Sequence, residues 1–338
     1  MSRKILLNII GEENNTGYNA ASKARTDVDR TLVRNGYEII EIPYAKYQGK
    51  LSAIASHLIA ILKTIKKIER IKPIDIIIQY PGYRIGTRTI DLLTKLLSQY
   101  HLTILIHDID SLRYKGEISD RELNIFKRSA RILVHTENMY QYLVRKGVKV
   151  QMDILWLFDY YAKETATLNN VKDTYSLVFA GNLDKSGFLK KIGSKLTPYT
   201  LYLYGLPLDY SWPEGLKYEG KFAPDEINDI KGDWGLVWDG NSIEKCDGQM
   251  GEYLKYNSSH KVSLYLASGK PVIVWNQSAV APFIKRNNLG LGINSLEEIP
   301  VLLNNISKEQ YNKFLTSVKE IQEKLRSGKI LETLVQNC

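Results

Sequence analysis

Cysteine is nearly absent: the 338 residues contain only Cys246 and Cys338. Two thiols make neither a disulfide framework nor a thiolate zinc site, so the chain reads as cytoplasmic, in a reducing compartment. No apolar run approaches the length of a membrane span. The opening "MSRKILLNIIG" resembles a secretory leader at a glance. Its apolar stretch Ile5–Ile10 is too short, no small-residue cleavage site follows, and it reads better as a buried strand. Sequence repeats, low-complexity segments and a long basic tail are also missing. The loop after that first strand has no Gly-Lys-Ser/Thr and no GxGxxG, which excludes a Walker loop and the dinucleotide fingerprint.

What is present is ordinary globular composition, with 44% hydrophobic and 25% charged residues, and length enough for two domains. Lys and Arg number 46 against 37 Asp and Glu, a formal charge of +9. Such an excess serves solubility or an anionic partner: a nucleotide, a phosphorylated substrate, a nucleic acid or an acidic membrane face. The basic residues are dispersed, with short clusters such as Lys63–Lys67, and no nucleic-acid module is recognisable, so no nucleic-acid partner is assigned. Peripheral membrane contact stays compatible with the charge.

Short β-rich runs alternate with helical patterns. In the first half the runs are "ILLNII" (5–10), "YEIIEI" (37–42), "IDIIIQY" (74–80), "LTILIHD" (102–108), "RILVHT" (131–136) and "VQMDILW" (150–156). A polar stretch at 158–173 breaks the pattern and reads as a linker. The alternation resumes with "YSLVFAG" (175–181), "TLYLYG" (200–205), "LKYEGKF" (216–222), "WGLVWDG" (234–240), "PVIVW" (271–275) and "LGLGI" (289–293), with helices expected near 185–195, 224–231, 259–268, 279–287, 297–305 and 307–327. Near-continuous apolar strands between amphipathic helices indicate parallel sheets covered on both faces. The expected architecture is α/β: two tandem Rossmann-like, doubly wound domains at 1–157 and 174–310 facing a cleft, then C-terminal helices at 311–338 that pack back on the first domain. Ligands of such sheets bind outside the carboxyl ends of the strands.

The stretch "SSHKVSLYLASGKPVIVW" (258–275) reads as a helix, capped at Ser258 or Ser259 and stopped at Gly269 before Pro271, then a buried strand. His260 and Lys261 fall in its first turn, where the dipole favours anions and a cation costs a few tenths of a kcal/mol. No Asp or Glu lies between Tyr256 and Ser295 to offset them. A phosphate would reverse the sign, bound by the free N–H groups and by Lys261; a solvated Lys261 is the plain alternative.

Other strand ends carry further candidates. "FAGN" ends at Gly181 and Asn182, with Asp184 and Lys185 opening a helix; Gly-Asn also suits an ordinary turn. Tyr204 at a strand tip suits stacking on a base, or a rim position. Asp239 and Asn241 suit sugar hydroxyls, or turn chemistry. "IIGEENNTGYN" supplies Asn14, Asn15, Thr16 and Gly17, a polar loop fit to close over a sugar acceptor. "ILIHDIDSLR" ends its strand at His107, Asp108 and Asp110: the His–Asp pair is a candidate for acid/base catalysis, and Asp108 equally for bracing the loop. "DID" also matches the DxD pattern that holds a metal–nucleotide in another transferase class. With one strand end and no further clustered ligands, no metal site is assigned.

Taken together, "FAGN", the Ser/His–Lys helix start and "LASGKPVIVWNQSAVAPFIKRNNLGLGI" resemble the GT-B glycosyltransferases. Within that class "ARTDVDRTLVRNGY", "IHDIDSLR" and "SSHKVSLYLASGKPVIV" are similar to the bacterial nucleotide-sugar-synthetase-like glucosyltransferases, which add glucose from UDP-glucose to N-acetylglucosamine on serine-rich repeat adhesins. "IHDIDSLR" also resembles bacterial galactofuranosyltransferases of surface polysaccharide synthesis. The resemblance implies a UDP-sugar as co-substrate with no cofactor or metal, a glycan or glycoprotein acceptor on the N-terminal domain, and a homo-oligomer. It places Gly181, Asn182 and Lys185 near the donor, Tyr204 near the base and Lys261 on the diphosphate. The chain departs from the adhesin enzymes at Lys185, where they carry Arg, and at His260, where they carry Tyr; both positions bear on the donor sugar.

Overall fold

A computed structural model describes residues 3–10, 20–43, 50–82, 86–163, 175–206 and 211–336. The described residues fall into two compact units, bounded as Met1–Thr16, Val28–Leu155 and Glu332–Cys338 for the first and Gly17–Asp27 and Trp156–Leu331 for the second.

The first unit is built on six parallel strands, β1 (Lys4–Ile10), β2 (Tyr37–Pro43), β3 (Asp75–Tyr80), β4 (Leu102–Ile106), β5 (Arg131–Val134) and β6 (Gln151–Ile154), in the order β2-β1-β3-β4-β5-β6. Between them run α1 (Ala20–Arg34), α2 (Lys50–Ile71), α3 (Gly86–Leu96), α4 (Asp110–Lys115), α5 (Asp120–Lys127) and α6 (Glu137–Arg145). Every residue of β3 and β4 is buried, as unbroken apolar runs in a doubly covered sheet require. α5 starts at Asp120 because Ser119 and Glu122 form a capping box.

The second unit carries β7 (Leu177–Asn182), α7 (Leu189–Ile192), β8 (Leu201–Leu206), β9 (Leu216–Tyr218), β10 (Trp234–Val237), α8 (Gly248–Tyr253), α9 (His260–Ala267), β11 (Val272–Trp275), α10 (Ala281–Arg286), β12 (Gly290–Ile293), α11 (Ile299–Asn304) and α12 (Lys308–Ser327); α13 (Lys329–Gln336) passes from this unit into the first. Its strands are all parallel, in the order β12-β11-β10-β7-β8-β9. Residue alternation loads both faces: Leu177, Phe179, Leu236, Ile273 and Trp275 join one apolar layer, Val178, Ala180, Val237, Val272 and Val274 the other. Each such buried side chain contributes roughly 1.5–3 kcal/mol.

Three local expectations differ. The segment 224–231 forms turns rather than a helix, although Ile227 and Ile230 are buried. The segment is tied to a distant part of the chain instead: the Asp225 carbonyl accepts from Lys163 N and the Asn228 side-chain amide donates to Lys163 O. The helix expected over 185–195 shrinks to α7 and a 3-10 turn, Gly193–Leu196, leaving Asp184 and Lys185 in a turn. The start of the polar stretch at 158–173 is packed: Phe158, Asp159, Tyr160 and Tyr161 are buried, and the amides of Phe158, Tyr160 and Tyr161 donate to Ser263, Leu325 and Asp27.

Gly235 on β10 lies under the ring of Tyr265 on α9, where a Cβ would come within 2.2 Å of the ring. The neighbours on both sides are core, so Gly235→Ala is expected to lower unfolding stability by about 2–3 kcal/mol. Urea midpoints of the two proteins measure it.

Candidate active site

In the second unit the strand order reverses between β7 and β10, so the crevice at their carboxyl ends is the natural ligand position. Gly181 and Asn182 end β7, Asp239 and Asn241 follow β10, and α9 starts alongside. Lys261 joins them. Its Nζ lies 2.8 Å from Asp239 Oδ1, and 4.9 Å from the centroid of the Phe179 ring. Its Cε sits 3.1 Å from where a Cβ on residue 181 would be, so glycine there is what lets the lysine stem lie along the strand end.

The sequence places no acid near the α9 start, yet the fold supplies one from 22 residues upstream. Asp239 offsets the cation that the helix pole disfavours. Both side chains are shielded without being sealed, 18% and 26% exposed, so the pair can exchange partners. Ser259 occupies the N-cap with no side-chain capping bond, its carbonyl accepting from Val262 N at 2.9 Å. Ser258 is buried beside it, and His260 is half-buried against the rings of Tyr160 and Phe158.

The loops after β7 and β10 lock together. Asn182 Oδ1 accepts from Lys185 N, its carbonyl accepts from Ser186 Oγ, and Phe188 N donates to Gly240 O. A Cβ on Gly187 would lie 2.2 Å from Asn241 Oδ1; sequence reading passed over this glycine. Asp247 accepts from the amides of Asn241 and Ser242, fixing the second loop. Asn182 thus spends its side chain on the turn, and the side chain of Lys185 stays exposed. Tyr204 does not join this group: it is 6% exposed, packed edge-on against Phe222, with its hydroxyl accepting from Lys231 N and burial pushing its pKa up.

In the first unit a second polar group gathers at strand ends. His107 and Asp108 follow β4; His135 follows β5, one strand over. His107 Nε2 is 2.6 Å from Gln79 Oε1, and Asp108 Oδ2 is 2.6 Å from Arg113 Nη1. Arg113 therefore serves Asp108, whereas Asp110 opens α4. The loop is braced by Glu122, 1% exposed, which accepts from Tyr80, from Ser111 and from Ser119. Neither Glu122 nor His135 is conspicuous in the sequence. The available signal for His135 is a polar residue ending an apolar strand run, as in "LTILIHD".

Asn14, Asn15, Thr16 and Gly17 lie outside the described residues. Among the described residues no group of three or more His, Cys, Asp or Glu is placed to hold a metal ion. Cys246 is a core thiol whose pKa burial pushes up, so it is no nucleophile. An open apolar groove over β12, α11 and α12, lined by Leu291, Val301, Leu302, Ile306 and Phe314, includes none of the candidate site residues.

His135 is fully buried with Nε2 2.9 Å from Ile106 O; burial holds its pKa below 6.5, against the opposing pull of Asp108. Between that lowered value and 6.5 the unfolded chain binds the extra proton, so stability present above pH 6.5 is lost as pH falls, by up to about 1.4 kcal/mol per pH unit at this site. His135→Gln is expected to flatten the fall in urea midpoint between pH 7.5 and 5.5.

The family descriptions "Glucosyltransferase 3-like, N-terminal domain" and "Glucosyltransferase 3-like, C-terminal domain" match residues 4–157 and 177–338. The beta-1,6-galactofuranosyltransferase WbbI of Escherichia coli K12 is 31% identical over 246 residues, 71% of this chain and 72% of that protein. Glucosyltransferase 3 of Streptococcus gordonii is 28% identical, with 68% of each chain covered. Among solved structures a glycosyltransferase of Rickettsia africae superposes with a TM-score of 0.63 over 100% of this chain and 98% of its own, at 10% identity, and so speaks to the fold alone. Two parallel six-stranded sheets in the GT-B fold and both halves of the sequence agree: the chain belongs to the glucosyltransferase 3-like family and is a glycosyltransferase.

Proposed function

We propose that this enzyme moves a hexose, glucose first among them, from a UDP-sugar to a sugar acceptor on a glycoprotein, such as an N-acetylglucosamine-modified serine-rich adhesin, without a metal and in the cytoplasm. The observation that carries this reading is Lys261, held by Asp239 beside the α9 N-terminus at the β7–β10 switch point. A diphosphate there meets the helix N–H groups and an ammonium, the charge distribution that stabilises a departing nucleoside diphosphate. Gly181 keeps the strand end open to it. In the N-terminal unit Asp108 takes the acceptor hydroxyl proton, with His107 beside it. The resemblance to the adhesin enzymes also supports a homo-oligomer.

A second reading has its own support. The relative named a galactofuranosyltransferase is 31% identical, against 28% for the glucosyltransferase. The donor is then a galactofuranosyl or galactosyl nucleotide, and the product a surface polysaccharide.

The described face of α2 supports peripheral contact with an anionic membrane. Leu58, Ile59 and Leu62 are 43%, 53% and 56% exposed, and Lys63, Lys66, Lys67 and Arg70 are exposed one to two turns on, with Glu69 the acid among them. Apolar side chains beside a cationic cluster fit the boundary of anionic lipid headgroups. Co-sedimentation with phosphatidylcholine vesicles is expected only when phosphatidylglycerol is included, and Leu62→Glu is expected to abolish it. Equal binding by both proteins contradicts the contact.

Thermal-shift titration with UDP, GDP, UDP-glucose, UDP-galactose and UDP-galactofuranose, with and without EDTA, tests the function. A ligand at a hundred times its Kd stabilises by about 2.7 kcal/mol. The uridine compounds are expected to raise Tm, EDTA to change nothing, and one UDP-sugar to exceed the rest. Lys261→Ala is expected to keep the fold and lower kcat/KM by about 30–100-fold, the worth of one charge-assisted contact to a developing anion. Full activity in that variant, or stabilisation by GDP in place of UDP, contradicts the reading.

A further inference from the structure

The strand order of the first unit also reverses, between β1 and β3, and a three-residue relay stands there. Asn8 on β1 and Gln79 on β3 donate from their side-chain amides to the two oxygens of Asp29 on α1, at 2.9 Å to Oδ2 and 2.5 Å to Oδ1. An ionised carboxylate only accepts, so the NH2 of Gln79 has to face Asp29 and its carbonyl oxygen has to face away. That oxygen is 2.6 Å from His107 Nε2. A carbonyl oxygen also only accepts, so Nε2 carries the proton, and whenever the ring is neutral its lone pair is on Nδ1. Gln79 is 2% exposed, so water does not compete for the amide.

We propose that Asp29 and Gln79 are positioning residues: they fix the proton of His107 on Nε2 and thereby present Nδ1 as the ring's hydrogen-bond acceptor for a hydroxyl of the sugar acceptor. This rests on the reading of His107 as a site residue. The neighbouring strand repeats the device. β4 and β5 pair in parallel with Thr103 opposite Arg131 and Leu105 opposite Leu133, a register that puts His107 and His135 at equivalent strand ends. The ring of His135 is oriented by the Ile106 carbonyl, which likewise takes a proton from Nε2 and leaves Nδ1 as acceptor. His135 obtains its tautomer from backbone, His107 from a side chain that Asp29 orients.

Imidazole tautomers are read directly from two-bond proton–nitrogen correlations of the full 15N-labelled chain, with His107 assigned by its absence in His107→Gln. The wild type is expected to show the Nε2–H form at His107, a result that needs no other variant to fold. In Asp29→Asn the new amide can donate to the Gln79 carbonyl and let that group turn over. His107 is then expected to shift toward the Nδ1–H form, with kcat/KM for the acceptor falling on the order of tenfold. Asp29→Glu is expected to restore both. An Nδ1–H ring in the wild type, a tautomer unmoved in Asp29→Asn, or a moved tautomer with unchanged turnover overturns the proposal. A wild type that turns over no UDP-sugar overturns the proposed function instead, and the tautomer measurement still reads the relay.

Discussion

Lys261 and Asp239 hold opposite charges across the point where the second sheet reverses its strand order, and the site around them is arranged to keep them there. The lysine stem needs the space left by Gly181. Asp239 needs the loop after β10 pinned, which Asp247, Gly187 and the Phe188–Gly240 bond provide. A cation at a helix N-terminus is mildly unfavourable alone, and an ion pair that water still reaches is worth about 1 kcal/mol. Stability therefore does not explain the arrangement. A cation kept in position, partly dry and able to change partner, does explain it if an anion arrives during the reaction.

The first unit shows a different use of polar groups at strand ends. Here the network centres on acids that accept several bonds each: Glu122 gathers Tyr80, Ser111 and Ser119, and Asp29 gathers Asn8 and Gln79. Burying a carboxylate costs several kcal/mol unless its lone pairs are met; those of the buried Glu122 are met by hydroxyls and a backbone amide, and those of the half-buried Asp29 by two side-chain amides. The result is orientation. The loop holding His107 and Asp108 is fixed from below by Glu122, and His107 is fixed from the side by Gln79. One unit thus stores positive charge beside its switch point, and the other stores directed hydrogen bonds.

The strands were legible in the sequence because parallel, doubly buried strands are apolar without alternation, and all twelve expected runs hold a strand of the structure. Short helices were less so. α8 was missed since Gly248 and Gly251 lower its propensity by about 1 kcal/mol each, and Gly251 is there because a Cβ would meet the Cys246 backbone. The segment at 224–231 has the apolar spacing of a helix, and its Ile227 and Ile230 are buried as that spacing promises, yet it forms turns that bond to Lys163, more than sixty residues upstream, a long-range contact that local pattern does not encode. At the site, Lys261 and its helix pole could be read from one window of sequence. The acid that pairs with it could not, because ion pairs between strand ends depend on sheet order, which short-range pattern does not encode. His135 and Glu122 escaped for the same reason.

A crystal structure of the enzyme with bound UDP tests the central claim most directly. The account predicts Lys261 Nζ at about 3 Å from a diphosphate oxygen, with the backbone amides at the α9 start donating to the same group. A diphosphate bound elsewhere, with Lys261 still closed on Asp239, contradicts it.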